Sequence, residues 1–303
     1  MEFSTRYFLL AVFYMICLVG FTVNMIMVAA NLMKWKNLRS LPTYNKILSS
    51  LASSRALDFL TFIINNSINV FFPWLLKNNV VMLTLNMEIM FVFCSSLWLA
   101  TLLCVFYCVK IVTYNYKLFI FLKTRISTMV PWLILSSLLI SLISSLIYAW
   151  YSYDLKLQNL SNGSTGNMAG YELVAVPNYN NKFLLFSLGS IPPFLILCVS
   201  ISLLIHFLLI HTRRMRSNES HTQSPNLKSH FGALKSMSLF LVLQIMYVIF
   251  LITYNSHTFL YVKHSAQISS LIPCSLQLLH SLYMISSSSE VKKMFPSALC
   301  FSR

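Results

Sequence analysis

Three charged side chains, Arg55, Asp58 and Glu88, lie well inside long apolar stretches of this 303-residue chain. A charge within a lipid bilayer is costly and therefore marks either function or a specific pairing. Arg55 and Asp58 are three residues apart, so they share one face of a helix and could neutralise each other while reaching Asn24. Two interpretations follow: a structural ion pair that fixes helix packing, or a polar switch that rearranges when the protein changes state.

Glu88 is the third of these side chains and lies about two helical turns inside its apolar stretch. It would be a costly lone charge unless it faces water, a cation or a polar ligand. Asn65, Asn66 and Asn69 lie at the same end of the preceding stretch. Together these side chains predict an outward-opening cavity for a small molecule, with a slight preference for a cationic one. The alternative is that Glu88 is a rim residue that only touches solvent.

Aromatic and apolar side chains are the remaining candidates for the wall of such a cavity. Tyr247 and Tyr254 could line it, because binding cavities are mostly apolar with a few well-placed polar groups. The predicted ligand-binding set is Asn65, Asn66, Asn69, Glu88, Ile89, Phe93, Tyr247, Tyr254 and Ser270.

Motifs for catalysis and for metal binding are absent from the sequence. The six glycines form no phosphate-cradling loop, and neither a Gly-x-Ser-x-Gly elbow nor a His-Glu-x-x-His motif occurs. Asp58 and Asp154 are the only aspartates, which excludes a paired-aspartate membrane protease. His206 and His280 are interpreted as packing or hydrogen-bonding residues. No enzyme activity, cofactor, metal site or disulfide framework is predicted.

The composition identifies the elements that must position these residues. Hydrophobic residues make up 57% of the chain and charged residues 10%, against roughly 25% charged residues in soluble domains. The apolar residues form seven runs, each long enough to cross a bilayer and each expected to be a helix, since lipid offers backbone groups no partners. One all-α domain, 1–303, is predicted with a short tail, 288–303. The predicted spans are 7–33, 47–76, 80–112, 126–151, 183–210, 236–260 and 266–287.

The positions of Lys and Arg predict the orientation of the bundle. Sixteen of them lie in the loops after the first, third and fifth spans and in the tail, while five lie on the opposite side. This places the amino terminus outside and the tail in the cytoplasm. The net charge of +15 is therefore interpreted as topology rather than as a sign of nucleic acid binding. The first span is too long for a signal-peptide core and is expected to be a retained anchor.

The loop between the fourth and fifth spans supports this orientation independently. Asn159 and Asn162 each begin an acceptor sequon in its polar middle. Sequons can be glycosylated only on the outer side, so both are candidate glycosylation sites.

Two stretches resemble a known family, the bitter taste receptors, or type 2 taste receptors, of vertebrates. Residues 46–55 read Lys-Ile-Leu-Ser-Ser-Leu-Ala-Ser-Ser-Arg, similar to the family's Ile-Leu-x-x-Leu-Ala-x-Ser-Arg signature. Residues 106–111 read Phe-Tyr-Cys-Val-Lys-Ile, similar to its Phe-Tyr-x-x-Lys-Ile stretch, and follow Trp-Leu-Ala-Thr at 98–101. The resemblance extends over about 20–295. Other matching positions are Asn24, Trp35, Arg39, Phe119, Lys123, 202–204, 211–215, His230, Ala233, Lys235, Phe240, Leu241, His280, Ser281, Val291 and Lys292.

The resemblance implies a G-protein-coupled receptor of the plasma membrane. It would bind small bitter molecules in a cavity among spans 2, 3, 5, 6 and 7 and activate a heterotrimeric, gustducin-like G protein. Basic cytoplasmic residues would face the acidic surface of that partner. Activation and packing are assigned to Asn24, Arg55, Asp58, Tyr107, Lys110 and His280. G-protein contact is assigned to Lys117, Lys123, Arg125, Arg213, Arg214, Arg216 and Lys235.

The chain also departs from the family pattern and leaves alternatives open. Gln277 takes the place of the proline usual in the seventh span, where the nearest proline, Pro273, is about a turn earlier. Asn66 replaces a usual Trp, and the usual Asn after the last span is replaced within 286–289. The alternatives are a vomeronasal type 1 receptor and, outside receptors, a transporter or channel subunit. The sequence leaves the ligands and the oligomeric state open.

Overall fold

The computed structural model describes 2–112, 117–160, 170–218 and 265–287, with short helical pieces within 238–246. Six long helices are described, and a 3-10 helix, Pro73–Lys77, connects α2 to α3. We label the long helices α1 (Glu2–Leu38), α2 (Thr43–Phe71), α3 (Asn79–Ile111), α4 (Lys117–Tyr151), α5 (Tyr179–Asn218) and α6 (Ser265–Ser287).

The predicted class, a helical membrane protein, is confirmed. Within the described part of the chain, five helices are long and apolar enough to cross a membrane, and they correspond to the first five predicted spans. The seventh predicted span is α6, whose apolar part, Leu271–Ser286, is shorter. The sixth predicted span, 236–260, lies mostly outside the described residues.

A short connection joins α2 to α3. Pro73 begins the 3-10 helix after α2, because its fixed φ suits a first helical position. Asn78 then caps α3: its side chain accepts a hydrogen bond from the Val80 backbone N–H at 2.9 Å. Two antiparallel helices are therefore joined by a short and rigid segment.

A two-stranded antiparallel hairpin lies between α4 and α5, where the sequence predicted only a polar loop. Strand β1 (Tyr153–Leu160) pairs with β2 (Gly170–Pro177), from Tyr153 opposite Pro177 to Leu160 opposite Gly170. Strand β1 alternates apolar and polar residues over 153–158, the period of two that a strand shows, whereas 173–176 of β2 are all apolar. Asn178 joins the hairpin to the helix ends, since its backbone N–H donates to the Ser152 carbonyl at 2.9 Å.

Helix α3 lies at the centre of the bundle and packs against α2, α4 and α5, while α1 packs against α2 and α6. Leu51, Leu99 and Leu204 meet in a fully buried cluster that joins α2, α3 and α5. The approach of α1 to α2 depends on Gly20, because a Cβ there would overlap the ring of Phe59. This packing brings polar residues from α1, α2, α3 and α6 to one level inside the bundle.

Candidate functional site

The predicted ligand-binding residues of α2 and α3 lie near each other, toward the ends of these helices that the Lys and Arg distribution predicts to be outer. The Glu88 side chain is exposed and accepts a hydrogen bond from the Thr61 hydroxyl at 3.1 Å. Thr61 itself is buried between α2 and α3. The carboxylate thus has one anchored oxygen and stays accessible, so it can bind a cation or a hydrogen-bond donor.

The three asparagines predicted at the outer end of α2 differ in exposure and in hydrogen bonding. The Asn69 amide donates to the Asn65 carbonyl at 2.8 Å and to its side-chain oxygen at 3.2 Å. Asn69 is exposed, whereas Asn65 and Asn66 are half-buried. Two of these amides are therefore partly occupied with each other, and Asn66 is the one more available to a ligand.

An aromatic pair joins α3 to α5 near these residues. Phe93 of α3 stacks on Phe186 of α5, with ring centroids 4.9 Å apart and an interplanar angle of 26°. Ile89 is half-buried one turn outward from Phe93. Phe186 was not predicted as a site residue, and nothing in the sequence separates it from the other aromatic residues of its span.

The side chains of the remaining three predicted ligand-binding residues lie outside the described part of the chain. Tyr247 and Tyr254 lie outside the described residues. Ser270 belongs to α6 by its backbone, but its side chain is outside the description. The predicted ligand-binding residues whose side chains the structure describes therefore belong to α2 and α3.

A second polar group, which we call the inner layer, lies deeper between α1, α2, α3 and α6. Arg55 is 3% exposed and Asp58 7% exposed. The Arg55 guanidinium bonds to Nδ1 of the His280 imidazole and lies 3.8 Å from the Met284 sulfur. Asp58 accepts hydrogen bonds from the Gln277 amide at 2.8 Å and from the Ser96 hydroxyl. The two charges attract each other, as expected, but each also has partners on another helix.

Asn24 joins α1 to the inner layer. It is fully buried, and its amide donates to the Gly20 carbonyl at 2.8 Å and to the Ser281 hydroxyl at 3.1 Å. Asn24 thus contacts the residue that follows His280, the Arg55 partner. Polar groups of α1 and α2 therefore meet adjacent positions of α6, and the inner layer holds three helices together.

Two residues assigned to activation and packing lie near the helix ends that the sequence predicts to be cytoplasmic, and both have simple surroundings. Tyr107 packs on Tyr44 of α2, with ring centroids 5.4 Å apart, and the two are hydrogen-bonded. Lys110 is exposed in the last turn of α3, and His206 is exposed on α5. The aromatic pair is a helix-packing contact, while Lys110 is accessible to a partner.

The basic residues predicted for G-protein contact are partly described. Lys117 and Arg125 are exposed on α4, and Arg125 lies over the ring of Phe121 at 5.5 Å. The Lys123 ammonium donates to the Val112 carbonyl at 3.4 Å, so it caps the end of α3. Side chains outside the description are those of Arg213, Arg214 and Arg216 at the end of α5, and of Lys235.

The predicted glycosylation sites lie at the tip of the hairpin. Asn159 pairs with Tyr171 across the two strands, and its side chain is outside the description. Asn162 lies between the strands, outside the described residues. Both sequons are close to the turn of the hairpin in sequence.

Comparison with known proteins identifies the family. A family model described as taste receptor protein (TAS2R) matches 1–303. The rat protein named taste receptor type 2 member 39 is 31% identical over 291 residues, which cover 93% of this chain and 88% of the rat protein. Human taste receptor type 2 member 2 is 29% identical over 293 residues, which cover 94% of this chain and 93% of the human protein.

The match extends over the whole chain, including the inner layer, the outer ends of α2 and α3 and the basic ends of the helices. The resemblance drawn from the two motif stretches is thereby confirmed, and the taste receptors are favoured over the vomeronasal alternative. The chain belongs to the taste receptor type 2 family, the bitter taste receptors among the G-protein-coupled receptors.

Proposed function

We propose that this chain is a seven-helix receptor of the plasma membrane, with its amino terminus outside. It binds small bitter molecules in an outward-facing cavity among α2, α3, α5, the sixth span and α6, and it activates a gustducin-like G protein. The observation that carries the proposal is the exposed Glu88 carboxylate, held by Thr61 at the outer end of two apolar helices. A carboxylate among apolar helices is energetically costly, and a bound ligand that offers a cation or a hydrogen-bond donor would offset this cost.

The ligand class that this group favours is a small cation with an aromatic or apolar body. Glu88 supplies a negative charge, Asn66 an amide, and the stacked rings of Phe93 and Phe186 a flat apolar wall. Aromatic faces also attract cations. Alkaloid-like amines combine these features, so they are the first compounds to test.

The cytoplasmic side of the proposal is supported by charge. The basic residues of α4 and the end of α5 lie on the side that the Lys and Arg distribution assigns to the cytoplasm. Lys117 and Arg125 are exposed there. An acidic G-protein surface would be attracted to them, and such attraction chiefly increases the rate of association.

The test is calcium release in cells that co-express the full chain with a chimeric taste-type G protein, across a panel of cationic and neutral bitter compounds. We expect a dose-dependent response that disappears when the G protein is omitted. A chain that reaches the cell surface but stays silent to the whole panel would count against the proposal. Flux of a compound across the membrane without G-protein activation would favour a transporter instead.

A further inference from the structure

Gln277 and Asp58 form a polar contact that the sequence did not predict and the proposed function does not use. The Gln277 amide on α6 donates to the Asp58 carboxylate on α2 at 2.8 Å. The Ser96 hydroxyl on α3 donates to the same carboxylate. One buried acid thus connects three helices within the bilayer.

This contact lies in register with its neighbours. Along α2, Arg55 is three residues before Asp58; along α6, His280 is three residues after Gln277. Because α2 and α6 run antiparallel, the Asp58–Gln277 and Arg55–His280 contacts lie one helical turn apart on the same pair of faces. The two contacts form a continuous polar seam between the helices.

The seam extends outward toward the site. Thr61 lies three residues beyond Asp58 on α2 and donates to Glu88 at 3.1 Å. Asp58 is therefore one turn from the residue that anchors the outer carboxylate and one turn from Arg55. Of the polar contacts described between α2 and α6, the Asp58–Gln277 contact is the one nearest the outer site.

The residue types are unusual in a way that supports a specific role. Gln277 stands where the resembling family usually has proline, which would lack both the amide and a backbone N–H. A carboxylate and an amide are each costly in lipid, but the buried Asp58 and the half-buried Gln277 satisfy one another. The two side chains therefore form one hydrogen-bonded pair rather than two separate polar groups.

We propose that Asp58 and Gln277 form a clasp between α2 and α6, positioned between the outer Glu88–Thr61 contact and the Arg55–His280 contact, that sets the resting equilibrium of the receptor. The clasp joins α2 to α6 and so stabilises the packing in which the two helices meet, the resting packing of the proposed receptor. Weakening it increases the population of other packings and thereby raises signalling without agonist. This inference rests on the proposed function.

The test uses the full chain in cells and measures G-protein activation without agonist, divided by the number of receptors at the surface. Gln277→Leu removes the donor at similar size and should raise this ratio about threefold, as expected for the loss of one interhelical hydrogen bond. Gln277→Glu places a second carboxylate against Asp58 and should raise it further. Leu279→Ala, on an exposed face of α6, is the control and should change nothing.

The decisive variant combines Gln277→Glu with Asp58→Asn. It exchanges donor and acceptor across the contact, since the introduced amide donates to the introduced carboxylate, and it keeps one negative charge near Arg55. A structural role alone does not predict rescue of the basal signal by this exchange. We expect the ratio to return to within about twofold of wild type, because the hydrogen bond is restored. A double variant no closer to wild type than Gln277→Glu, or a Gln277→Leu variant equal to wild type, would overturn the clasp.

Thermal unfolding of the detergent-solubilised chain separates this inference from the proposed function. Gln277→Glu should lower the melting temperature by a few degrees, and the double exchange should restore it. If wild type activates no G protein while this rescue occurs, the proposed function fails and the contact stands. If wild type signals but neither the melting temperature nor the basal signal shows rescue, the clasp fails and the receptor stands.

Discussion

The outer site and the inner layer both contain ionisable side chains within apolar helices, but these side chains differ in burial and in the number of their partners. In the inner layer, Arg55 and Asp58 are buried, and each has partners on a different helix. At the outer site, Glu88 is exposed, and the described residues give it a hydrogen bond from Thr61. Charges whose partners are built into the protein stabilise its packing, whereas an exposed and partly satisfied charge is suited to bind something else.

The largest effect is expected from Arg55→Ala. This change leaves the Asp58 carboxylate without a cation in the bilayer and removes the His280 contact, so surface expression should fall by more than about tenfold. Flow cytometry of an amino-terminal tag measures it. The control is Leu57→Ala on the exposed face of α2, which should express normally. Normal expression and signalling of Arg55→Ala would remove the distinction between the two regions.

A smaller but still severe effect is expected from Gly20→Leu. The added side chain would overlap the ring of Phe59 and push α1 away from α2, which displaces Asn24 from Ser281. Surface expression should fall several-fold, and the melting temperature should fall with it. Adding Phe59→Ala makes room for the new side chain and should restore part of both. Full tolerance of Gly20→Leu would show that the inner layer does not depend on this close approach.

At the outer site, Glu88→Gln should change ligand response rather than folding. The substitution keeps the shape and the Thr61 contact but removes the charge, so the potency of cationic agonists should fall at least about tenfold. Neutral agonists and surface expression should be unaffected. Asn65→Ala should lower the potency of cationic and neutral agonists alike, but by less than the loss that Glu88→Gln causes for cationic ones, because the Asn65 side chain is already bonded to Asn69. If neither Glu88→Gln nor Asn65→Ala changed the potency of several agonists, the binding role of both residues would be contradicted.

The smallest effect is expected from Thr61→Val. It removes the hydroxyl that orients Glu88 at nearly constant size, so the potency of cationic agonists should fall about threefold. Thr84→Val is the matched control, since the Thr84 hydroxyl bonds to the Val80 carbonyl within its own helix at 2.9 Å. If the control shifts potency as much as Thr61→Val, the Thr61–Glu88 contact has no part in orientation.

The helices could be predicted from the sequence because lipid imposes one solution on a long apolar run. The hairpin between α4 and α5 could not, since a short segment outside the bilayer faces no such constraint. Strands as short as Tyr153–Leu160 give little periodic signal, and the partner strand β2 carries no alternation of apolar and polar residues over 173–176. The length and hydropathy of a segment therefore predict its secondary structure only where the segment crosses the bilayer.

Residues of the sites could be predicted better than their partners. Arg55, Asp58 and Glu88 stand out by charge alone in apolar surroundings. Their partners His280, Gln277 and Thr61 depend on the rotation of each helix about its axis, which one sequence does not fix. Gln277 illustrates the limit: it was visible as a departure from the family pattern, but its contact with Asp58 required the arrangement of α2 and α6.

The most direct test of the two-region account is a dose–response measurement of one cationic agonist on wild type, Glu88→Gln and Gln277→Glu. The account predicts that Glu88→Gln shifts the agonist concentration for half-maximal calcium release and leaves the basal signal unchanged. It predicts that Gln277→Glu raises the basal signal per surface receptor. Parallel changes of potency and basal signal in both variants would contradict the division between an outer binding site and an inner layer that sets the resting state.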